Sequence, residues 1–321
     1  MSASAAHTEP PLDLVCLGEA MVEFNQSRDD ATSWRSGFGG DTSNCAIAAA
    51  RIGARCGYIT QLGDDVFGQQ LLNLWRDERV DTGGVRVVPG GDTGVYFVTH
   101  GPQGHAFTYR RAGSAASRMA PGEADFAPCL RQVERARTLH VSGISQAISD
   151  SARATVFAAI ERARQHGVRV SYDLNFRPRL WSVETARPVV ERTVAACDLF
   201  LPSVDEVALL AGARTPEQVL AWAHGLGAPT VLLKLGAEGC WVSERSGALT
   251  KLPPHRVLPV DATGAGDCFA GCLLARLAAG DDLVAAARAA NVAAALSTLG
   301  VGAVAPLPTW SQVQAELAGQ S

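Results

Sequence analysis

The sequence has no run of about 18 uncharged apolar residues, so nothing in it reads as a membrane-crossing helix. Charge is sparse: 19% of residues are charged and the net charge is -4. Nucleic acid or an anionic membrane would want a basic surface, and this balance argues against both. It leaves a small anionic ligand open, because a few local arginines suffice. Met1 to Pro11 is small and polar with no hydrophobic h-region. We expect a loose tail there, no secretory signal and a cytoplasmic protein. The seven histidines show no metal-ligand spacing, and HExxH, Gly-x-Ser-x-Gly, GxxxxGK and a strand-borne GxGxxG are all missing. Zincins, α/β-hydrolases, P-loop NTPases and ordinary NAD-binding proteins are thereby disfavoured. No CxxC pair occurs among Cys16, Cys45, Cys56, Cys129, Cys197, Cys240, Cys268 and Cys272. They sit mostly in apolar segments, which predicts buried free thiols in a reducing compartment.

What the chain has is apolar bulk, 47% of 321 residues, enough for a large core. Short apolar runs at Leu14–Leu17, Tyr58–Gln61, Leu139–Val141, Val168–Tyr172, Leu199–Leu201 and Val231–Leu235 read as strands. Helices are expected from Asp150 or Ser151 to His166, with Gly167 as stop, and at Glu184–Ala196, Pro216–Gly225, Gly266–Ala279 and Leu283–Leu299. Strands alternating with helices predict a three-layer α/β/α domain with a mostly parallel central sheet. Two stretches break this rhythm. Val22–Phe38 is polar without helical period. In Thr93–Arg111, Val95, Phe97 and Thr99 alternate, Gly101-Pro-Gln-Gly104 turns, and Phe107 and Tyr109 alternate, which predicts a hairpin. We expect these stretches, at about 20–38 and 92–112, to form a small antiparallel sheet serving as a lid on one α/β domain spanning 12–321.

The strongest chemical signal is Asp261-Ala-Thr-Gly-Ala-Gly-Asp267, followed by the apolar helix Cys268–Ala279. Gly264 and Gly266 permit a tight turn, and the free N–H groups of the helix that follows make an anion site. Asp267, in the first helical turn, can take a proton from an attacking hydroxyl while Gly264, Ala265 and Gly266 hold an oxyanion. The plainer alternative is a Gly-rich turn with a capping Asp. Near the other end, Gly18-Glu19 closes the first strand and Gly39-Gly40-Asp41-Thr42-Ser43-Asn44 precedes a helix. Asp41 or Thr42 could simply cap it.

These motifs together resemble the ribokinase-like (PfkB-type) carbohydrate kinases over nearly the whole chain. The resemblance implies ATP and Mg²⁺ and admits a monovalent cation. It implies that Asp267 is the base, that Gly40, Asp41 and Asn44 hold sugar hydroxyls, and that Lys234, Gly236 and Gly239 of Lys234-Leu-Gly-Ala-Glu-Gly239 lie along ATP. On spacing alone that last string is an ordinary hairpin turn. Asn291 matches an adenine-pocket position, and Asn175 is placed with ATP. Ser203-Val-Asp-Glu206 stands where the family often has Asn-x-x-Glu. Ser replaces Asn, while Glu206 would orient magnesium through water, as a few-ligand Mg²⁺ site allows.

Three stretches resemble the 2-keto-3-deoxygluconate kinases within that family: Thr93-Gly-Val-Tyr96, Phe107-Thr-Tyr-Arg-Arg-Ala-Gly-Ser-Ala115 and Asp173-Leu-Asn-Phe-Arg-Pro-Arg-Leu-Trp181. By that match Tyr96, Tyr109 and Arg111 reach the substrate, Arg177 lies between substrate and ATP phosphates, and Ile144 lines the pocket wall. Strand alternation independently puts Tyr109 and Arg111 on one face and Arg110 on the other. Aromatic pairing within the hairpin is the alternative role for Tyr96 and Tyr109. Leu299-Gly-Val-Gly302 stands where some members carry an Asp near substrate. A dimer through the lid is implied by the resemblance alone. The rival readings are a kinase of a neutral sugar, such as a fructokinase, and a non-catalytic sugar or nucleotide sensor.

Overall fold

The computed structural model describes residues 11–101, 104–124 and 126–319. All but the last residue of the expected tail, and Pro102 and Gln103 of the expected turn, lie outside the described residues. Among the described residues the central sheet has nine strands. They are β1 (Leu12–Leu17), β4 (Cys56–Gly63), β5 (Asp81–Val88), β8 (Ala136–Ser142), β9 (Arg169–Asp173), β10 (Leu199–Leu201), β11 (Thr230–Lys234), β12 (Cys240–Glu244) and β13 (Leu249–Leu252). Their lateral order is β13-β12-β11-β10-β9-β8-β1-β4-β5. All pairings from β11 to β5 are parallel, and β12 and β13 are antiparallel.

The helices described are α1 (Asp41–Arg51), α2 (Val66–Asp77), α3 (Gly143–Ala147), α4 (Asp150–Gln165), α5 (Val183–Val194), α6 (Val204–Ala211), α7 (Pro216–Leu226), α8 (Ala265–Ala278), α9 (Leu283–Ser297) and α10 (Trp310–Ala318). Strand β1 shows why there are three layers. Its alternate residues point to opposite faces. Leu14 and Cys16 join the core built with α1, α2, α8 and α9. Val15 and Leu17 join the other, built with α4, α5, α6 and α7. A strand buried on both faces has no polar side, hence its near-continuous apolar run. All eight cysteines are free and buried, as their apolar settings predicted.

The second sheet, ordered β3-β2-β6-β7, is built from β2 (Met21–Gln26), β3 (Trp34–Gly39), β6 (Val95–Gly101) and β7 (Gly104–Arg110). The polar stretch Val22–Phe38 is thus two strands paired antiparallel, Met21 opposite Gly39. The expected hairpin is β6–β7, Val95 opposite Arg110. One pairing departs from expectation: β2 and β6 run parallel, because the chain passes through β3, α1, β4, α2 and β5 between them. Helix α4 is capped by Ser149, whose hydroxyl accepts from Ala152 N at 3.0 Å, one residue before the expected cap. Among the described residues no helix is long and apolar enough to cross a membrane.

Candidate active site

The carboxyl ends of the parallel strands converge near the β1/β8 boundary, where the chain's progress across the sheet reverses direction. Open α/β sheets bind ligands at such a crevice. Strand β9 ends on Asp173 and β11 on Lys234, and Lys234 Nζ meets both Asp173 carboxylate oxygens at 2.8 and 2.7 Å. An ideal Cβ on Gly266 would stand 3.5 Å from the same Nζ, so the lysine lies against the start of α8. Gly264 opens that helix with φ 78, in the left-handed region. Asp261 anchors the turn: Oδ1 accepts from Thr263 N at 3.0 Å and Oδ2 from Gly302 N at 2.9 Å.

Of the N–H groups at this turn, Ala265 N already donates to Ala262 O at 3.2 Å. Gly266 N and Asp267 N have no such backbone acceptor among the described residues. The open donors at the start of α8 are therefore Gly266 N and Asp267 N. The tight turn folds back on Ala262 before the helix proper begins.

Asp267 accepts at Oδ2 from Asn44 Nδ2 at 2.8 Å, across 223 residues of sequence. Helix packing explains the meeting. Gly271 of α8 leaves room for α1 to press close: a Cβ there would stand 2.4 Å from Cys45 O. Asn44 is therefore carried to the start of α8. Asp41 accepts at Oδ2 from Asn175 Nδ2 at 2.9 Å. Helix α1 begins at Gly40 without a side-chain cap, so neither Asp41 nor Thr42 serves as one. Asp41 Oδ1 and Asn44 Oδ1 are buried with no hydrogen-bond partner among the described residues. Two open acceptors beside a carboxylate suit a ligand rich in hydroxyl donors.

Asp267 is half-buried in the cleft, still touched by solvent but ringed by protein. Burial, then the negative charge of Asp41, hold its carboxyl well above the usual carboxylate range; Asn44 and Lys234 pull the other way. Burial also raises Glu206, against the pull of Lys234. Lys234 itself loses charge stability to burial, but Asp173 and Glu206 more than compensate and raise it. The cleft thus gathers the carboxyl groups of Asp41, Asp173, Glu206 and Asp267 near one enclosed lysine, and the shifts of Glu206, Lys234 and Asp267 are of the kind found at catalytic sites.

The remaining expected residues fall into three groups. Ser203 and Glu206 form a capping box at α6, with Ser203 N donating to Glu206 Oε2 at 3.0 Å. Arg177, about half exposed, faces Glu206 at 3.5 Å. Leu235–Gly239 turns the β11–β12 hairpin, and Asn291 of α9 donates to Pro253 O at 3.2 Å beside the chain that follows β13. Gly236 and Gly239 line this turn, both with positive φ. In the lid, Tyr96 and Tyr109 are cross-strand partners with ring centroids 5.6 Å apart. Tyr96 donates its hydroxyl to buried Glu23. Arg111 lies 5.8 Å from the Tyr109 ring centroid, which agrees with the shared face read from alternation. Its guanidinium pairs with Glu19, whose other oxygen accepts from Ser114 Oγ at 2.5 Å. Ile144 lies partly buried in α3 beyond β8.

Asp173, Glu19 and Glu23 were not singled out from sequence. Asp173 and Glu19 could have been: each is a carboxylate at the end of a parallel strand, where sites form. Glu23 carried no such signal. A cleft of about 700 Å³ lies at the opposite end of the strands, where β8 and β9 begin. There Arg137 and Arg164 donate to Ala278 O and Ala196 O, at the ends of α8 and α5. They satisfy helix C-termini, and the carboxylate cluster around Lys234 lies at the other end of the strands.

The pfkB family carbohydrate kinase pattern matches residues 12–310. This chain belongs to the pfkB carbohydrate kinase family. It is 34% identical over 303 residues to 2-dehydro-3-deoxygluconokinase of Thermoproteus tenax, covering 92% of this chain and 90% of the relative. It is 32% identical over 319 residues to fructokinase-1 of Zea mays, covering 94% and 96%. The solved structure of a putative ribokinase II from Escherichia coli, in complex with ATP and Mg²⁺, superposes with TM-score 0.86. That pair is 25% identical and covers 95% and 99%. This kinase is therefore a phosphotransferase acting on a carbohydrate.

Proposed function

We propose that this kinase transfers the γ-phosphoryl group of ATP to the primary hydroxyl of 2-keto-3-deoxygluconate, giving the 6-phosphate. The observation that supports phosphoryl transfer is Asp267, held by Asn44 at the start of α8 beside the free Gly266 N–H. Asp267 takes the hydroxyl proton as the new O–P bond forms; the bond to the β-phosphate oxygen breaks and ADP leaves. Positioning and charge stabilisation dominate such a reaction. Asp41 Oδ1 and Asn44 Oδ1 accept from sugar hydroxyls. The turn Lys234–Gly239 and Asn291 lie along the nucleotide. Arg177 offsets charge between the two substrates.

A magnesium ion fits beside Glu206. Among the described residues no group of three or more His, Cys, Asp or Glu gathers as a metal cage. One enclosed carboxylate, with water and phosphate completing the shell, suits magnesium's habits. When bound, it offsets phosphate charge. The lid's outer strands β3 and β7 each have one side unpaired within this sheet, which suits a second copy meeting the lid.

Sugar-acid preference rests on Arg111. A guanidinium matches a carboxylate's two oxygens, and Arg111 Nε is buried without a hydrogen-bond partner among the described residues. A neutral ketose is the second reading. Glu19 already offsets the charge of Arg111, and the fructokinase relative is nearly as similar. The test is ATP consumption by the wild-type kinase on 2-keto-3-deoxygluconate, fructose and ribose. We expect the acid to be used far better. A preference for fructose would overturn the assignment in favour of the second reading.

A further inference from the structure

Beyond the end of β9 the chain runs Asp173-Leu-Asn-Phe-Arg177, and its alternate side chains divide cleanly. Leu174 and Phe176 are buried in the α4–α7 core. Asp173, Asn175 and Arg177 face the site, where they meet Lys234, Asp41 and Glu206 in turn. Asn175 is unusual among them. Its φ is 36, and only one other non-glycine residue among those described, Arg79, has positive φ. Side chains other than Asn and Asp rarely adopt that backbone, and buried strain persists only where neighbours enforce it. The neighbour here is Gly143. An ideal Cβ on Gly143 would stand 2.1 Å from Leu174 O, so the glycine's bare face presses on the peptide that precedes Asn175.

We propose that Asn175 is a positioning residue for Asp41, and that the Gly143–Leu174 contact holds it in its strained backbone. Asn175 donates to Asp41 Oδ2 and so turns Oδ1 toward the ligand. Asparagine meets both demands at once: it tolerates the left-handed region and carries an amide donor. Glycine supplies only the first and glutamine only the second. This inference rests on the reading that Asp41 holds sugar hydroxyls. It moves Asn175 from the nucleotide side of the site to the sugar side.

The test uses the sugar that the wild type turns over best. Asn175→Gly keeps the backbone and removes the donor. A hydrogen bond to a charged group is lost, which predicts a fall in kcat/KM on the order of 10–100-fold. The fall should appear mainly as a higher sugar KM, with ATP KM and Tm close to wild type. Gly143→Ala keeps the amide but displaces the Leu174 peptide, and should raise the sugar KM in the same way. Asp41→Asn combined with Asn175→Gly should cost little more than Asp41→Asn alone, because the two residues act as one unit. A wild-type sugar KM in Asn175→Gly overturns the inference, as does a defect confined to ATP KM. An unchanged sugar KM in Asp41→Asn is a different failure: it removes the sugar-site reading itself.

Discussion

Replacing Asp267 by Asn should separate turnover from stability in this kinase. The amide has the carboxylate's shape, and its oxygen can still accept from Asn44 at 2.8 Å. What is lost is the base, so kcat should fall on the order of 10²–10⁴-fold. Stability should move the other way. Burial and Asp41 raise the Asp267 pKa in the folded protein, so the native state binds this proton more tightly than the unfolded chain. Below the unfolded carboxylate pKa, about 3.9, the group carries no penalty. As pH rises from there toward the raised folded pKa, wild-type stability falls. The amide of the variant does not titrate, so its stability lacks this pH dependence. The Tm advantage of Asp267→Asn should therefore widen as pH rises from 5 toward 8. The slope for one proton is at most about 1.4 kcal/mol per pH unit. For a domain of this size that is roughly 2 °C per unit. Solvent contact at Asp267 makes both figures upper limits. Steady-state ADP release measures the first effect, and thermal unfolding across pH measures the second. A near-normal kcat would refute the base assignment. A Tm gap that is flat or narrows with pH would refute the claim that protein surroundings raise the Asp267 pKa.

Arg111→Ala should be made on a Glu19→Gln background, because removing Arg111 alone strands a buried carboxylate at a cost on the order of 3–5 kcal/mol. Relative to Glu19→Gln, kcat/KM on the sugar acid should drop about 10–150-fold and on fructose hardly at all; equal losses would mean that Arg111 only supports the lid. Met21, Tyr96 and Val98 form a small cluster with Phe107, separate from both main cores. Hydrogen exchange should therefore be fast in Val95–Tyr109 without sugar and slow with it, and no change on adding sugar would count against lid closure. Gly264→Ala places a Cβ at φ 78 and 3.0 Å from the Ala303 Cβ. Thermal unfolding should show a loss of more than about 1 kcal/mol, and turnover should fall as the α8 N-terminus shifts; unchanged Tm and kcat would show that the turn geometry is not needed.

Much of this could be read along the chain because it is local. The turn from Asp261 to Asp267 depends on glycine's backbone freedom and a helix starting at once, both legible over seven residues. Apolar runs alternating with helical patterns predicted the three layers, and period two placed Tyr109 with Arg111. Other features needed the folded chain, for a common physical reason: they join residues far apart, and only packing decides which distant groups meet. Asn44 reaches Asp267 because Gly271 lets α1 approach α8. Strand β2 pairs parallel with β6 because two βα units intervene. Ala265 N is engaged by Ala262 O, a matter of turn geometry that residue types do not specify. Glu19 against Arg111 and Asn175 against Asp41 are pairings of polar groups enclosed together. Sequence spacing carries no trace of them, because a buried charge finds its partner in space and not along the chain.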